Sequence, residues 1–251
     1  MKPHHQTTIA PPAPPAASRE KRKQKRNLLN RLIERDEIQR TEYSEYRDDI
    51  RNLYDGPRGA VLSLCSLLSL HTVLGERVFK QRHFDLQGAT RILDVGSGAG
   101  QLAQHLVKYT DQDASIVCCD LSHRMLCRAR SRLKSDRVRF VTSDLTRLPF
   151  QDGTFDCITC GYVLEHLPDA KPGLQELSRV LKPGGRMLLI TTEDTFYGAW
   201  TSRLWNCRTY CRTELRRLCE VLGLTWHKEI WFSPVHRAIR LGGICVEIVK
   251  N

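Results

Sequence analysis

From residue 89 onward, short apolar runs alternate along the chain with amphipathic stretches. The runs are nearly continuous in apolar residues, which predicts strands buried on both faces of a parallel sheet. The amphipathic stretches predict helices that cover those faces. Predicted strands occupy residues 91–95, 115–120, 138–144, 155–161, 186–192, 224–232 and 244–249, and predicted helices occupy 100–109, 122–133, 170–181 and 213–222. Because no long helix separates the last two strands, we expect them to pair antiparallel through a connection at 233–243.

The first 88 residues follow a different pattern. Residues 1–27 are rich in Pro and Ala and hold +6 of the net charge of +11, so they are predicted to form a disordered basic tail. Residues 28–88 predict a helical extension, and residues 89–251 an α/β domain. The apolar stretch at 60–74 is shorter than the about 20 residues that a membrane-spanning helix needs. We expect it to form a buried or capping helix, with contact to a bilayer surface as the alternative.

Ten cysteines raise the question of disulfides or a metal site. Cys157 and Cys160 have the spacing of metal ligands, but they fall in a predicted strand and should point to opposite faces of the sheet. Cys207 and Cys211 have no companion pair at zinc-site spacing. We therefore expect reduced cysteines and no bound metal. Together with a polar N-terminus unlike a secretory signal peptide, this predicts a cytoplasmic protein, with peripheral membrane contact as the alternative.

The clearest chemical motif follows the first predicted strand and runs from Asp94 through Gly96 and Gly98 to Gly100. Glycines there allow a tight turn and a close approach of ligand to backbone, and the next helix directs free N–H groups at the same place. A dinucleotide-binding loop would have its third glycine at position 101, which is Gln101 here. Asp94 would repel a pyrophosphate and attract a cationic amino-acid group. The motif therefore favours a cationic ligand over a dinucleotide.

Acidic residues also end the second and third predicted strands. Asp120 has the spacing from the glycine loop of an acid that accepts hydrogen bonds from ribose hydroxyls. The other interpretation of Asp120, a helix cap, is weakened because Ser122 can fill that role. Asp144 can accept a hydrogen bond from an adenine amino group, or it can be a turn residue. Near Asp120, Leu121 and Met125 could flank an adenine, and next to Asp144, which Leu145 follows, a backbone N–H could meet a ring nitrogen of the adenine.

The segment after the fourth predicted strand contains the candidate catalytic residues. Tyr162, Glu165 and His166 lie where a transferred group would meet its acceptor, and His and Glu are common general bases. From this position we predict Tyr162 and His166 as catalytic residues. The alternative is that Glu165 and His166 cap or pack the helix that follows.

Five stretches contain these motifs: ILDVGSGAG (92–100), CDLS (119–122), TSDLTRLPF (142–150), FDCITCGYVLEHLPD (155–169) and ELSRVLKPGGRMLLI (176–190). In this order and spacing they resemble the class I S-adenosylmethionine-dependent methyltransferases, and within them the subgroup of ubiquinone/menaquinone biosynthesis. The resemblance implies a Rossmann-like, doubly wound α/β fold whose seven-stranded sheet is mostly parallel with an antiparallel last strand. It also implies S-adenosyl-L-methionine as the cofactor.

The resemblance implies roles for individual residues. Gly96 and Gly98 would pass against the methionine part of the cofactor, and Gly161 would line its methionyl side. Asp120 would hold the ribose hydroxyls, and Asp144 with Leu145 would hold the adenine. Tyr54-Asp55 resembles a pair that many relatives carry upstream of the first strand. The candidate cofactor-binding residues are Asp94, Gly96, Gly98, Gln101, Asp120, Leu121, Met125, Asp144, Leu145 and Gly161.

The acceptor is predicted from residues 193–212, which match no substrate motif but stand where the resemblance implies a lid-like insertion over the acceptor. Five aromatic residues in this segment suit a flat or lipophilic acceptor, or else they pack on the core: Phe196, Tyr197, Trp200, Trp205 and Tyr210. We therefore expect a small or lipid-like acceptor. The alternatives are methylation of RNA or protein docked by the basic arm at 19–27, a nicotinamide-dependent oxidoreductase, and a non-catalytic cofactor-binding scaffold.

Overall fold

The computed structural model describes residues 47–48, 71–205, 207–238, 240 and 243–251. The predicted tail, most of the predicted extension, the Tyr54-Asp55 pair and most of the apolar stretch at 60–74 lie outside the described residues. The division of the chain into tail, extension and domain therefore stays a prediction. No helix within the described ranges is both long enough and apolar enough to cross a membrane.

Helices and strands alternate along the described chain as the apolar pattern predicts. In chain order they are α1 (His71–Lys80), β1 (Arg91–Val95), α2 (Ala103–Tyr109), β2 (Ser115–Asp120), α3 (His123–Leu133), β3 (Val138–Thr142), β4 (Phe155–Gly161), α4 (Ala170–Val180), β5 (Leu181–Thr191), α5 (Phe196–Trp205), α6 (Arg212–Val221), β6 (Leu224–Glu229), α7 (Pro234–Ala238) and β7 (Ile244–Lys250). A 3₁₀ helix at Leu164–His166 follows β4.

The seven strands of the described chain form a sheet in the order β3-β2-β1-β4-β5-β7-β6. The first five strands pair in parallel, and β7 runs antiparallel to both of its neighbours. This arrangement confirms the predicted α/β sheet, mostly parallel with an antiparallel last strand. It also confirms the antiparallel pairing of the last two strands.

Apolar clusters cover both faces of the sheet, because successive strand residues point in opposite directions. One face packs on α4 and α6, for example through Ile158 of β4 and Leu174 of α4. The other face packs on α1, α2 and α3. Cys157 belongs to this second cluster and Cys160 to the first, so the two thiols lie on opposite faces as predicted.

Several predicted boundaries were wrong by a few residues, and strand pairing explains one of them and a side-chain hydrogen bond another. β5 begins at Leu181 rather than at 186, because Leu181 pairs with Phe155 before a bulge that ends where Arg186 pairs with Cys157. β3 ends at 142 rather than 144, because Asp144 turns the chain with its own side chain. The prediction also began α2 three residues early and continued β6 three residues too far.

Residues before position 89 contribute to the same core as the sheet. Val78 and Phe79 of α1 are buried in the cluster that covers β1 and β2. Glu76 of α1 accepts hydrogen bonds from Lys108 Nζ at 2.7 Å and from the Tyr109 hydroxyl at 3.0 Å, which ties α1 to α2. The described part of the predicted extension is therefore packed on the α/β domain.

Candidate functional site

The strand order places the carboxyl ends of β1, β2 and β4 side by side at one edge of the sheet. From β1 the chain proceeds to β2 and β3 on one side, and it returns to β4 on the other side. Ligands of open α/β sheets bind where the strand order reverses in this way. The register sets Val95 level with Cys119 on β2 and with Cys160 on β4. The predicted site residues follow directly after these positions, so they converge on one edge.

The glycine loop begins directly after β1 and bends back over the end of β2. The N–H groups of Gly96 and Ser97 donate to the carbonyl oxygen of Cys119 at 2.7 and 3.0 Å. Gly96 has a φ of +66° and Gly98 a φ of +52°, in the left-handed region where other residues are strained. The tight turn therefore explains why glycine occupies these two positions.

Four predicted cofactor-binding residues meet at Gly98. The Gly98 N–H donates to Asp120 Oδ2 at 2.8 Å. A Cβ atom at Gly98 would stand 3.3 Å from Gln101 Oε1 and 3.7 Å from Met125 Cε. Asp120 Oδ1 accepts from the N–H of Ser122 at 2.8 Å, and Ser122 caps α3 by accepting from the Met125 N–H. The structure thus brings Gly98, Gln101, Asp120 and Met125 together, and Ser122 has the predicted capping role.

Asp94 lies beneath the glycine loop and is only 1% exposed. Its Oδ1 accepts a hydrogen bond of 2.6 Å from the hydroxyl of Thr159, its register partner on β4. Its Oδ2 is buried and has no hydrogen-bond partner among the described residues. Burial raises the pKa of Asp94 to about 7, and the nearby Asp120 carboxylate acts in the same direction. Because an unpartnered buried oxygen is costly, Asp94 is suited to accept a hydrogen bond from a cationic ligand.

The residues predicted to contact an adenine have mixed environments. Asp144 Oδ1 accepts from the N–H and the hydroxyl of Thr146, both at 2.8 Å, which confirms the turn interpretation. Leu145 is buried in the core that packs on α4, so its backbone rather than its side chain is available to a ligand. Leu121 is half-buried between β2 and α3. Adenine contacts by these residues stay a prediction.

The segment after β4 packs directly on the glycine loop. A Cβ atom at Gly96 would stand 2.0 Å from Val163 Cγ2, and one at Gly161 would stand 2.7 Å from Leu102 Cδ1. Tyr162 lies between these contacts with a φ of +57°, a conformation that non-glycine residues adopt at some cost. Both glycines are therefore required by the close approach of β4 and its following turn to the loop.

Tyr162 and His166, the predicted catalytic residues, are half-buried and uncharged at neutral pH. Burial raises the pKa of the Tyr162 phenol and lowers the pKa of His166 to about 4. Tyr162 can therefore donate a hydrogen bond and His166 can accept one, whereas neither is arranged as a strong base. Their catalytic roles stay a prediction.

Glu165 has a structural role in this segment. It is 3% exposed, and its two oxygens accept from the hydroxyls of Thr191 at 2.6 Å and Thr192 at 2.8 Å. Burial raises its pKa to about 7. Because Thr191 ends β5 and Thr192 follows it, Glu165 fixes the 3₁₀ helix to the end of that strand. This geometry supports the packing alternative for Glu165.

The segment at 193–212 is anchored at both ends. Tyr210 donates from its N–H to the Thr192 carbonyl oxygen at 2.9 Å and from its hydroxyl to the Leu164 carbonyl oxygen at 2.5 Å. Glu193 is 1% exposed and pairs with the guanidinium groups of Arg212 and Arg240. The anchors hold the segment beside the turn that carries Tyr162 and His166.

Between these anchors, α5 exposes aromatic side chains to solvent. Phe196 is 54% exposed, Tyr197 45% and Trp200 66%. Packing on the core is therefore the wrong interpretation for these three residues, whereas Tyr210 does pack against the core. The segment predicted as a lid thus contains a short helix with an apolar outer face, and its role as a lid stays a prediction.

Two contacts of the site were not predicted from the sequence. Thr159 completes the environment of Asp94, and Val163 fills the space that the missing side chain of Gly96 leaves. Thr159 was detectable, because it is a polar residue inside an apolar strand and parallel pairing can set it beside Asp94. Val163 carried no such signal, since an apolar residue after a strand is common.

Gly96→Ala is expected to destabilise the fold by about 2–5 kcal/mol, because the left-handed φ and the Val163 contact add their costs. The measurement is the free energy of unfolding in urea. Gly88→Ala is the matched control, since Gly88 has a φ of +71° with nothing within 4 Å of an added Cβ. Its loss should be about 1–2 kcal/mol. Equal losses in the two variants would show that Val163 imposes no constraint.

Comparison with known proteins shows what this chain is similar to. The model of a methyltransferase domain matches residues 93–189. The ubiquinone/menaquinone biosynthesis C-methyltransferase UbiE of Vibrio cholerae is 34% identical over 121 residues, which are 45% of this chain and 46% of that protein. The demethylmenaquinone methyltransferase of Clavibacter sepedonicus is 35% identical over 153 residues, 61% of each chain. Residues 93–189 are therefore similar to a methyltransferase domain, and the chain resembles the class I S-adenosylmethionine-dependent methyltransferases.

The chain spans only part of the length of these curated relatives. The match spans 46% of the length of the Vibrio cholerae relative and 61% of that from Clavibacter sepedonicus. A crystal structure of a SAM dependent methyltransferase from Aquifex aeolicus covers 83% of this chain and 97% of its own, with a TM-score of 0.56 and 20% identity. This likeness shows the fold alone.

The residues that meet at the glycine loop fit S-adenosylmethionine. The ligand carries an ammonium group, a sulfonium and two ribose hydroxyls, all of which favour carboxylate partners. Asp94 has a buried Oδ2 without a hydrogen-bond partner among the described residues. Asp120 lies at the glycine loop, where Gly98 has no side chain to keep a ligand away from the backbone. Of the described residues, no group of His, Cys, Asp and Glu has the arrangement of a metal site.

Proposed function

We propose that this chain transfers the methyl group of S-adenosylmethionine to a small, lipophilic acceptor. The observation that carries the proposal is Asp94, a buried carboxylate with one unpartnered oxygen beneath the glycine loop. A buried carboxyl with a pKa near 7 reduces stability unless a ligand uses it, and a cationic amino-acid group is the ligand that it suits. Nicotinamide cofactors would instead bring a pyrophosphate, which Asp94 repels.

We assign the cofactor contacts as follows. Asp94 would receive the ammonium group, and Gly96 and Gly98 would admit the methionine part against the backbone. Asp120 would accept hydrogen bonds from the ribose hydroxyls. These would either replace the hydrogen bond that Asp120 now accepts from the Gly98 N–H or form in addition to it. Gln101 and Met125, which flank Gly98, would cover the nucleoside. When bound, the cofactor would supply a reactive sulfonium methyl group and would leave as S-adenosylhomocysteine, with the loss of one proton from the acceptor.

Because the methyl group is already reactive, the residues that face the acceptor mainly have to align its nucleophilic atom and exclude water. Tyr162 follows the last glycine of β4, and His166 lies one helical turn further on. Both are neutral at pH 7, so they can orient an acceptor hydroxyl by hydrogen bonds without bringing a charge beside the sulfonium. Positioning of this kind can lower a barrier by about 7–11 kcal/mol.

For the acceptor we propose a hydroxylated aromatic ring of the quinol type. The names of the two curated relatives refer to C-methylation in ubiquinone and menaquinone biosynthesis and to demethylmenaquinone. The exposed aromatic side chains of α5 belong to the segment that is anchored to the turn carrying Tyr162 and His166, and they suit a ligand with an apolar tail. A flat ring with a hydroxyl group would lie against the turn that carries Tyr162 and His166.

Calorimetric titration of the full chain tests the cofactor, with S-adenosylmethionine, S-adenosylhomocysteine and NADH as ligands. We expect micromolar or tighter binding of the two adenosyl ligands and none of NADH. Mass spectrometry of a reduced demethylmenaquinone incubated with the chain and S-adenosylmethionine then tests transfer, with one added methyl group expected. Preference for NADH would support an oxidoreductase. Adenosyl binding without turnover on any quinol would contradict the proposed acceptor.

A further inference from the structure

An aromatic face on α5 has no partner within the described chain. Phe196, Tyr197 and Trp200 are spaced one and three residues apart, which places them on one side of the helix. Phe196 and Tyr197 contact each other edge to face, with ring centroids 5.8 Å apart, rather than the core. Ala199 and Ser202, on the other side of α5, are buried. The helix thus packs through its small residues and presents its large aromatic ones to solvent.

Positive charges border this face. Arg203 is exposed three residues after Trp200 and seven after Phe196, so it extends the aromatic side of the helix. No carboxylate occurs within α5. Of the two acids that precede the helix, Glu193 is buried and paired with two arginines, and Asp194 is half-buried. The face is therefore apolar at its centre and cationic at its end.

Exposed apolar and basic residues also occur in and just after α7. Arg240, just after this helix, pairs with Glu193, which sets the β6–β7 connection beside the start of α5. Val235 on α7 is 65% exposed, and Arg237 and Arg240 are also exposed. We define the α5–α7 face by Phe196, Tyr197, Trp200, Arg203, Val235, Arg237 and Arg240.

We propose that the α5–α7 face docks the protein on the surface of a bilayer that contains anionic phospholipids. Trp, Tyr and Phe side chains partition into the interfacial layer of bilayers, and Arg side chains pair with anionic headgroups. The charge of the face complements such a surface. The inference rests on the proposed function. The segment that contains α5 is anchored to the turn that carries Tyr162 and His166, and an acceptor dissolved in the bilayer would enter there.

Vesicle sedimentation of the full chain tests this docking, with phosphatidylcholine vesicles that contain phosphatidylglycerol. Phe196→Ser combined with Trp200→Ser should reduce the partition coefficient about tenfold or more, because the variant lacks two apolar side chains whose transfer from water into the bilayer interface favours binding. Val221→Ser is the matched control. Val221 is 79% exposed but lies on α6, away from the face, so its replacement should leave the partition coefficient unchanged.

Basic residues elsewhere could hold the protein on anionic vesicles by charge alone. The helix α3 exposes Arg124 and Arg130, and the N-terminal tail is also basic. The sedimentation is therefore repeated in about 1 M salt, where charges are screened beyond about 3 Å. We expect a residual binding that the α5 double variant lacks. The proposal would be overturned if the combined Arg124→Glu and Arg130→Glu variant lost binding to the vesicles while the α5 double variant bound them like the parent chain.

Fluorescence quenching by brominated lipids gives a readout that a folding defect does not imitate. Quenching of the tryptophan emission is expected for the parent chain and should fall clearly in Trp200→Phe, which keeps an aromatic ring and most of the binding. Equal quenching in both proteins would contradict insertion of Trp200. S-adenosylmethionine titration of the double variant should match the parent, so a loss of docking remains distinguishable from a failure of the proposed function.

Discussion

Asp120→Ala is expected to weaken the binding of S-adenosylmethionine about 100-fold or more. The variant removes the acceptor proposed for the two ribose hydroxyls, and hydrogen bonds to a charged group each contribute about 1.5–3 kcal/mol. It also leaves the N–H groups of Gly98 and Ser122 without the oxygens that they now contact. The glycine loop should therefore become less ordered in the same variant. Calorimetric titration at constant pH measures the loss.

Two further variants separate ligand contact from loop order. Ser122→Ala removes the cap of α3 but keeps the backbone N–H that contacts Asp120, so it should reduce stability by about 1 kcal/mol and leave affinity nearly unchanged. Asp120→Asn keeps one acceptor oxygen and should bind with intermediate affinity. If Asp120→Ala bound the cofactor as tightly as the parent chain, the proposed ribose contact would be wrong.

The strands and the position of the site could be predicted because both depend on local sequence. Nearly continuous apolar runs specify buried parallel strands, and β1, β2 and β4 begin and end at the predicted residues. Turn glycines and acids that follow such strands must meet at one edge once the sheet forms. The hydrogen bond between Asp120 and the Gly98 N–H therefore agrees with the spacing of the motifs.

The remaining features depend on contacts between distant segments. Whether the aromatic residues of α5 pack or face solvent is decided by Ala199 and Ser202, which fill the side toward the core. The ion pair between Glu193 and Arg240 joins segments 47 residues apart, with no motif to indicate it. The bulge in β5 arises from the pairing of Leu181 with Phe155, which a single strand does not reveal.

Asp94→Asn is expected to stabilise the free protein increasingly as the pH rises from 4 to 7. The parent Asp94 has a pKa of about 7 when folded, against 3.8 for an ordinary aspartate. In this range the folded state holds a proton that the unfolded state has lost, so the free energy of unfolding falls as the pH rises. Asparagine does not ionise, and its carbonyl can still accept from Thr159. The difference between the two proteins should therefore grow by up to about 4 kcal/mol.

The measurement is urea unfolding of both proteins at a series of pH values. Glu165 titrates over the same range, but it is present in both proteins and cancels in the difference. A difference that does not change with pH would show that Asp94 ionises in the folded protein at its ordinary pKa.

Binding should respond to Asp94→Asn in the opposite direction to stability. The parent affinity for S-adenosylmethionine should rise between pH 5.5 and 7, by up to about tenfold per unit, as the carboxyl group ionises toward its pKa of about 7. The asparagine variant should show a flat profile and bind about 10–100-fold more weakly at pH 7. A variant that is more stable but binds less well would indicate that the buried carboxylate is kept for the ligand. A variant that is less stable and binds equally well would instead make Asp94 a structural partner of Thr159.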